Sequence, residues 1–284
     1  MAKSITSKVW RLVSGSTPPT VSVLRLSGAI GMRTGLNRGL SMASVAEQLE
    51  KLFDDDSVEA VAIIINSPGG SPVQSALIHD RIRKLAAETE LPVLTFAEDV
   101  AASGGYMLAL AGDEIYAHEN SIIGSIGVVS EGFGFHQLIE KIGVERRVYT
   151  AGDRKAMLDP FRPQDPRDTA HLEALQREVH ESFKAMVRSR RQGRLKGDEG
   201  EMFSGMFWTG AKSAALGLID GTGDLRSVCE RKFGEDVEFR LIQPRRSWLN
   251  PERSGVSGPT LPLQWADSLL DTIEERALWS RYGL

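Results

Sequence analysis

One cysteine, Cys229, stands in the whole chain, so an internal disulfide framework is excluded, and no Cys/His group with metal-ligand spacing accompanies it. Long apolar runs are missing too: no uninterrupted stretch of eighteen apolar residues occurs, so no membrane-spanning helix is expected. The first residues, Met1 to Leu12, carry a charge every few positions and no apolar core, which reads as neither a secretory signal nor a membrane span. The formal net charge is only −4, and without a basic excess or a zinc-finger spacing there is no electrostatic footprint for nucleic acid. These absences point to a soluble, cytoplasmic protein that needs no metal or other cofactor.

What is present is an ordinary globular composition, 41% hydrophobic and 25% charged over 284 residues, enough for one large core. After a polar lead, residues 20–26 alternate like a strand, and residues 41–53 repeat apolar positions at helical spacing. Residues 58–65 are a run of branched apolar residues, the pattern of a strand covered on both faces in an α/β domain. The turn Asn66-Ser67-Pro68-Gly69-Gly70 ends it. A helix over 72–88, a strand over 92–97, a helix from Ser103 to Leu110 and a strand over 114–117 follow, then a glycine-punctuated stretch to 134, a helix over 135–142 and a strand over 144–150. Strand-helix units of this length argue one α/β domain with parallel strands. A long charged helix is expected over 168–191 and a short one over 210–218. Residues 243–262 are rich in Pro, Ser, Gly and Arg and read as a linker, before an amphipathic helix from Trp265 to Tyr282 that carries Trp265, Leu269, Ile273 and Ala277 on one stripe.

Two segments carry chemistry. Ala101-Ala-Ser103-Gly104-Gly105-Tyr106 offers a hydroxyl nucleophile at a helix start, where unpaired N–H groups and the positive dipole end favour a developing oxyanion. Gly152-Asp153-Arg154-Lys155 offers a base, because a lysine amine that is sufficiently desolvated can take the serine proton. The amides of Gly70, in the turn after the neighbouring strand, and of Gly104 are the natural pair for an oxyanion hole. Ser125 could orient the Lys155 amine through its hydroxyl; turn packing is the plainer reading. Asp153 and Asp159 are left out, since a carboxylate beside Lys155 would hold its proton on.

Taken together, Ile65-Asn-Ser-Pro-Gly-Gly70-Ser71, the Ser103 segment, Gly124-Ser-Ile-Gly127-Val-Val, Gly152-Asp-Arg-Lys155 and Thr209-Gly-Ala-Lys-Ser-Ala-Ala-Leu-Gly-Leu-Ile-Asp220 resemble the S49 peptidases, the signal peptide peptidase A or protease IV family. The resemblance covers roughly residues 20–240. It implies a ClpP/crotonase-like α/β fold of repeated β-β-α units, with Ser103 as nucleophile and Lys155 as general base. It also implies a homo-oligomeric ring, in some members with catalytic residues from two protomers, acting on peptides or unfolded polypeptides such as signal-peptide remnants. On this basis residues 1–19 are a lead, 20–242 the peptidase domain and 243–284 the linker and terminal helix. Many S49 members carry an N-terminal membrane anchor; here any membrane association is expected to be peripheral.

The five histidines, His79, His118, His136, His171 and His180, have no triad context. The run Arg188, Arg190, Arg191, Arg194 and Lys196 reads as the solvated C-terminal end of the long helix. Two other functions fit the same fold: an acyl-CoA enzyme of the crotonase kind, which does not require Ser103 with Lys155, and a non-catalytic ring scaffold, which has little need of either.

Overall fold

A computed structural model describes residues 18–243, apart from 32, 35 and 36, together with residues 276–284. The expected linker from residue 244 on, and the expected terminal helix up to residue 275, lie outside the described residues. Residues 276–280 are helical.

The chain divides into two compact units, one of residues up to Ile126 together with those from Met186 on, the other Gly127–Ala185. The first is built on a sheet. Strands β1 (Thr20–Ser27), β4 (Ala60–Ser67), β5 (Val93–Ala102), β6 (Glu114–Ala117), β9 (Gly221–Thr222) and β10 (Glu238–Ile242) lie in the order β10-β1-β4-β5-β6-β9. All neighbouring pairs along that path are parallel. β2 (Arg33–Thr34) and β3 (Asn37–Arg38) form a separate antiparallel pair. β7 (Ile122–Gly124) joins the far end of β5, and β8 (Phe207–Thr209) adds to it antiparallel.

The branched run reads as expected: β4 is buried along nearly all its length, as a strand covered on both faces must be. On one face Val21, Val23, Ala60, Ala62, Leu94 and Phe96 pack with Val228 and Cys229 of the helix Leu225–Phe233. Burial pushes the Cys229 thiol up to about 11, which leaves it an inert core residue. The opposite face is covered by helices α1 (Met42–Phe53), α2 (Pro72–Thr89) and α3 (Gly104–Ala109). The first two start at capping serines, whereas α3 starts without a side-chain cap. Ser41 caps α1 in a reciprocal box with Ser44, and Ser71 caps α2, with Pro72 in its first turn.

Three expectations need correction. β5 runs five residues past its expected end, through Glu98 and Asp99 to Ala102, because a bulge takes up the polar pair. Residues 144–150 form no strand; they are irregular and exposed, since alternation alone supplies no partner for the backbone groups. The basic run is a solvated end only in part: Arg188, Arg194 and Lys196 are exposed, but Arg190 and Arg191 turn inward. Arg191 is 1% exposed, donates from Nε to Gly217 O at 2.9 Å and pairs with Asp220 at 2.7 Å. Arg190 caps Leu110 O and Gly112 O, each at 2.8 Å, and Arg194 reaches Asp220 at 3.0 Å.

In the second unit, helix α4 (His136–Lys141) buries no residue, and helix α5 begins at Pro166 and continues to Arg190, its last five residues belonging to the first unit. Large apolar residues of this unit are conspicuously wet: Phe133 is 82% exposed, Tyr149 90% and Ile142 64%.

Candidate active site

β5 ends at Ala102 and α3 begins at Gly104, so Ser103 is the single residue that turns strand into helix. It does so with φ +52°, in the left-handed region that costs a residue bearing a Cβ about 1–2 kcal/mol. Among the described residues only four non-glycine positions have positive φ, and Ser125, at +53°, is another. Strain of this kind persists only where the surroundings over-determine it. At Ser103 the surroundings are explicit: its amide donates to Gly124 O at 2.8 Å, and Met107 N returns a bond to Ser103 O.

The turn after β4 stands against this corner. A Cβ on Gly69 would sit 2.8 Å from the Ser103 Cβ and 2.9 Å from the Gly104 nitrogen, so only glycine lets the two segments approach. A Cβ on Gly104 would lie 3.4 Å from the Gly70 nitrogen. The strand-like bridge between Gly70 and Ile30 is made by Ile30 N to Gly69 O and Ser71 N to Ile30 O, and it leaves the Gly70 amide out. Among the described residues neither the Gly70 nor the Gly104 amide donates to a protein acceptor. Two neighbouring, unpaired N–H groups beside a half-buried serine can stabilise a developing negative charge.

The structure therefore brings Ser103, Gly70 and Gly104 together, with Ser125 one residue beyond the Gly124 carbonyl that takes the Ser103 amide. Ser125 is itself held by its own amide donating to Met206 O at 2.7 Å. Lys155 belongs to the second unit, where it is exposed and its amide closes a turn onto Gly152 O. Its neighbour Arg154 is engaged with Asp168 at 2.9 Å, and Asp159, left out of the site, is paired with Arg146.

Sequence reasoning missed the clasp behind α3, in which Tyr106 and Arg191 are buried. The Tyr106 hydroxyl, from the same segment as Ser103, donates to Leu218 O at 2.7 Å. Burial holds its pKa well above the usual phenol value. Beside it lies the Arg191–Asp220 pair, and the Asp220 carboxylate also accepts from Ile115 N at 2.8 Å. The available signal was the placing of Tyr106 after Ala-Ala-Ser-Gly-Gly, and of Asp220 at the end of the small and apolar run from Ser213 to Ile219. At the mouth, Tyr282 sets its hydroxyl 3.5 Å from Pro68 O and its ring edge-on to Phe207.

The sequence model of peptidase family S49 matches residues 86–236, across the Ser103 corner, the Lys155 turn and the Asp220 clasp. The chain belongs to peptidase family S49. The model of the Clp protease family matches residues 20–123, which makes the sheet described above one of the ClpP/crotonase-like α/β kind. Over 93% of its length this S49 chain is 55% identical to a Brucella abortus protein named Na(+)/H(+) antiporter NhaA, of which it spans 37%. It is 34% identical to the chloroplastic serine protease SPPA of Arabidopsis thaliana, over 77% of the chain and 32% of that protein. To a putative protease of Synechocystis it is 29% identical over 93% of the chain and 96% of the relative. The chain thus spans about a third of the first two relatives. Among its described residues no helix is long and apolar enough to cross a membrane.

Proposed function

We propose that this S49 chain is a serine endopeptidase that cleaves peptides or unfolded polypeptides through a Ser103–Lys155 dyad. The observation that carries the reading is the strained Ser103 corner with the free Gly70 and Gly104 amides beside it. In the proposed reaction the neutral Lys155 amine takes the Ser103 hydroxyl proton as Oγ attacks the scissile carbonyl carbon. The oxyanion is received by the two amides, and the lysine returns the proton to the departing amine. The same amine then activates water, which releases the acyl group and frees the serine.

A lysine at its reference pKa of about 10.4 is nearly all protonated at neutral pH, and in the single chain Lys155 is exposed. The proposal therefore requires that assembly or bound substrate desolvate it. Exposed Phe133, Tyr149 and Ile142 in the same unit are the kind of surface that a further copy would cover, which supports a homo-oligomer as the active form. In this reading the Ser125 hydroxyl is the candidate partner to orient the amine, with turn packing as the alternative. Signal-peptide remnants are one substrate class in view, since a relative in Enterococcus faecium, 30% identical over 62% of the chain, is named a putative signal peptide peptidase SppA.

Hydrolysis of casein by the assembled wild type, Ser103→Ala and Lys155→Ala tests this. Turnover should disappear in Ser103→Ala and fall by about 1,000-fold in Lys155→Ala. An assembled wild type that leaves casein and short peptides intact but binds acyl-CoA would overturn the reading in favour of crotonase-like chemistry.

A further inference from the structure

The sheet changes neighbours on its way to Ser103, and one side chain sits at the change. β5 pairs with β6 through Leu94 to Ala97 and with β7 through Val100 to Ala102. At the same place its pairing with β4 jumps from Ile65↔Ala97 to Ser67↔Ala101. Three residues of β5, Glu98, Asp99 and Val100, thus lie opposite the single residue Asn66. Such a bulge bends its strand and re-aims the residues beyond it, and here those residues lead into the nucleophile corner.

Asn66 fills the bulge with its own polar groups. Its Nδ2 donates to Asp99 Oδ2 at 2.8 Å, and its Oδ1 accepts from Val100 N at 3.3 Å. Its backbone carbonyl accepts from Gly28 N at 2.9 Å, two residues before Ile30, which brackets Gly70 from the other side. The side chain is buried, 7% exposed, in a strand otherwise made of small and branched apolar residues. A buried carboxamide in such a strand persists when its partners are satisfied, and each of these partners belongs to a segment that ends at the site.

Resting on the peptidase reading above, we propose that Asn66, held by Asp99, is a positioning residue for catalysis. By fixing the bulge it directs β5 onto β7, so that Ser103 N meets Gly124 O and the Ser103 hydroxyl stands beside the Gly70 and Gly104 amides. Asn66 touches no substrate. Its effect falls on the rate of the chemical step and not on binding.

The test compares Asn66→Asp, Asp99→Asn and the exchanged pair Asn66→Asp with Asp99→Asn in the assembled chain. Asn66→Asp keeps the shape and the acceptor for Val100 N but turns a second carboxylate toward Asp99; the exchanged pair restores a donor and an acceptor with the direction reversed. With a fluorophosphonate probe, Asn66→Asp should lower the saturating acylation rate by about 100-fold, the cost of a misplaced reacting group. The half-saturating probe concentration should stay unchanged, and the exchanged pair should restore most of the rate. Amide hydrogen exchange over residues 98–105 should quicken in Asn66→Asp and recover in the pair. Wild-type acylation by Asn66→Asp, or a loss that the exchanged pair does not restore, would overturn the inference while leaving the peptidase intact. If the wild type itself fails to react, the peptidase reading falls. The positioning role is then decided by exchange alone, and unchanged protection over 98–105 in Asn66→Asp overturns it.

Discussion

The two compact units use their side chains in opposite ways. In the first, even a charged group is drawn inside and satisfied: buried Arg191 and Tyr106, the former pairing with Asp220 at the surface, form a clasp behind the helix that Ser103 begins. In the second, residues 127–185, large apolar side chains such as Phe133 and Tyr149 face water. The unit that carries Ser103 and the Gly70 and Gly104 amides is thus built to hold backbone positions on its own, whereas the unit that carries Lys155 leaves large apolar side chains exposed. In the proposed dyad the base, the group that would have to be desolvated, comes from the unit whose apolar side chains are the more exposed.

Breaking the clasp should give the largest effect on stability. Arg191→Met removes a buried guanidinium and leaves Gly217 O without its donor, while Arg194 and Ile115 N still serve the Asp220 carboxylate, so the cost is about 1–3 kcal/mol; equilibrium unfolding in urea measures it. Next comes a contrast between two glycines, Gly69 at φ +105° and Gly152 at φ +103°. In Gly69→Ala the new methyl collides with the Ser103 corner, and acylation should fall about 100-fold. In Gly152→Ala nothing lies within 4 Å of the new methyl, so the conformational cost alone applies, about 1 kcal/mol. Equal effects at the two glycines would erase the distinction between the units.

A smaller effect is expected at the exposed surface. Phe133→Ser with Tyr149→Ser should leave unfolding of the chain within about 0.5 kcal/mol of wild type while weakening self-association about tenfold, as read by sedimentation over a range of concentrations. The smallest concerns His79, which is buried beside Asp80. Burial holds its pKa below the ordinary 6.5, and the Asp80 carboxylate opposes that only in part. The folded chain therefore binds fewer protons than the unfolded one as pH falls below that value. The neutral imidazole's full stability is present above pH 6.5 and is lost as pH drops from there toward the lower folded value. Thermal unfolding at about pH 7.5 and 5.5 should show a larger drop in Tm for wild type than for His79→Gln.

Much of the fold was legible because its signals are local. The branched run of β4, the helical periodicity of residues 41–53 and the glycine turn after β4 each declare themselves within a few residues. The adjacency of Ser103 to Gly70 and Gly104 was legible for the same reason: strand ends and helix starts of neighbouring β-α units lie side by side. The Arg191 clasp and the Asn66–Asp99 contact were not, since their partners lie 29 and 33 residues away and a charge read in isolation defaults to solvent. The expected strand over 144–150 shows the converse, periodicity with no neighbouring strand to pair with. Lys155 was singled out through resemblance and chemistry, and nothing in its own exposed turn marks it.

The most direct test of the Ser103–Lys155 dyad is fluorophosphonate labelling of the assembled wild type, Ser103→Ala and Lys155→Ala, with the adduct mapped by mass spectrometry and its rate followed against pH. A working dyad gives a single adduct on Ser103, absent in Ser103→Ala, formed with a basic limb that disappears in Lys155→Ala. An adduct on another serine, or a Lys155→Ala chain that labels at the wild-type rate with the same pH profile, would contradict it.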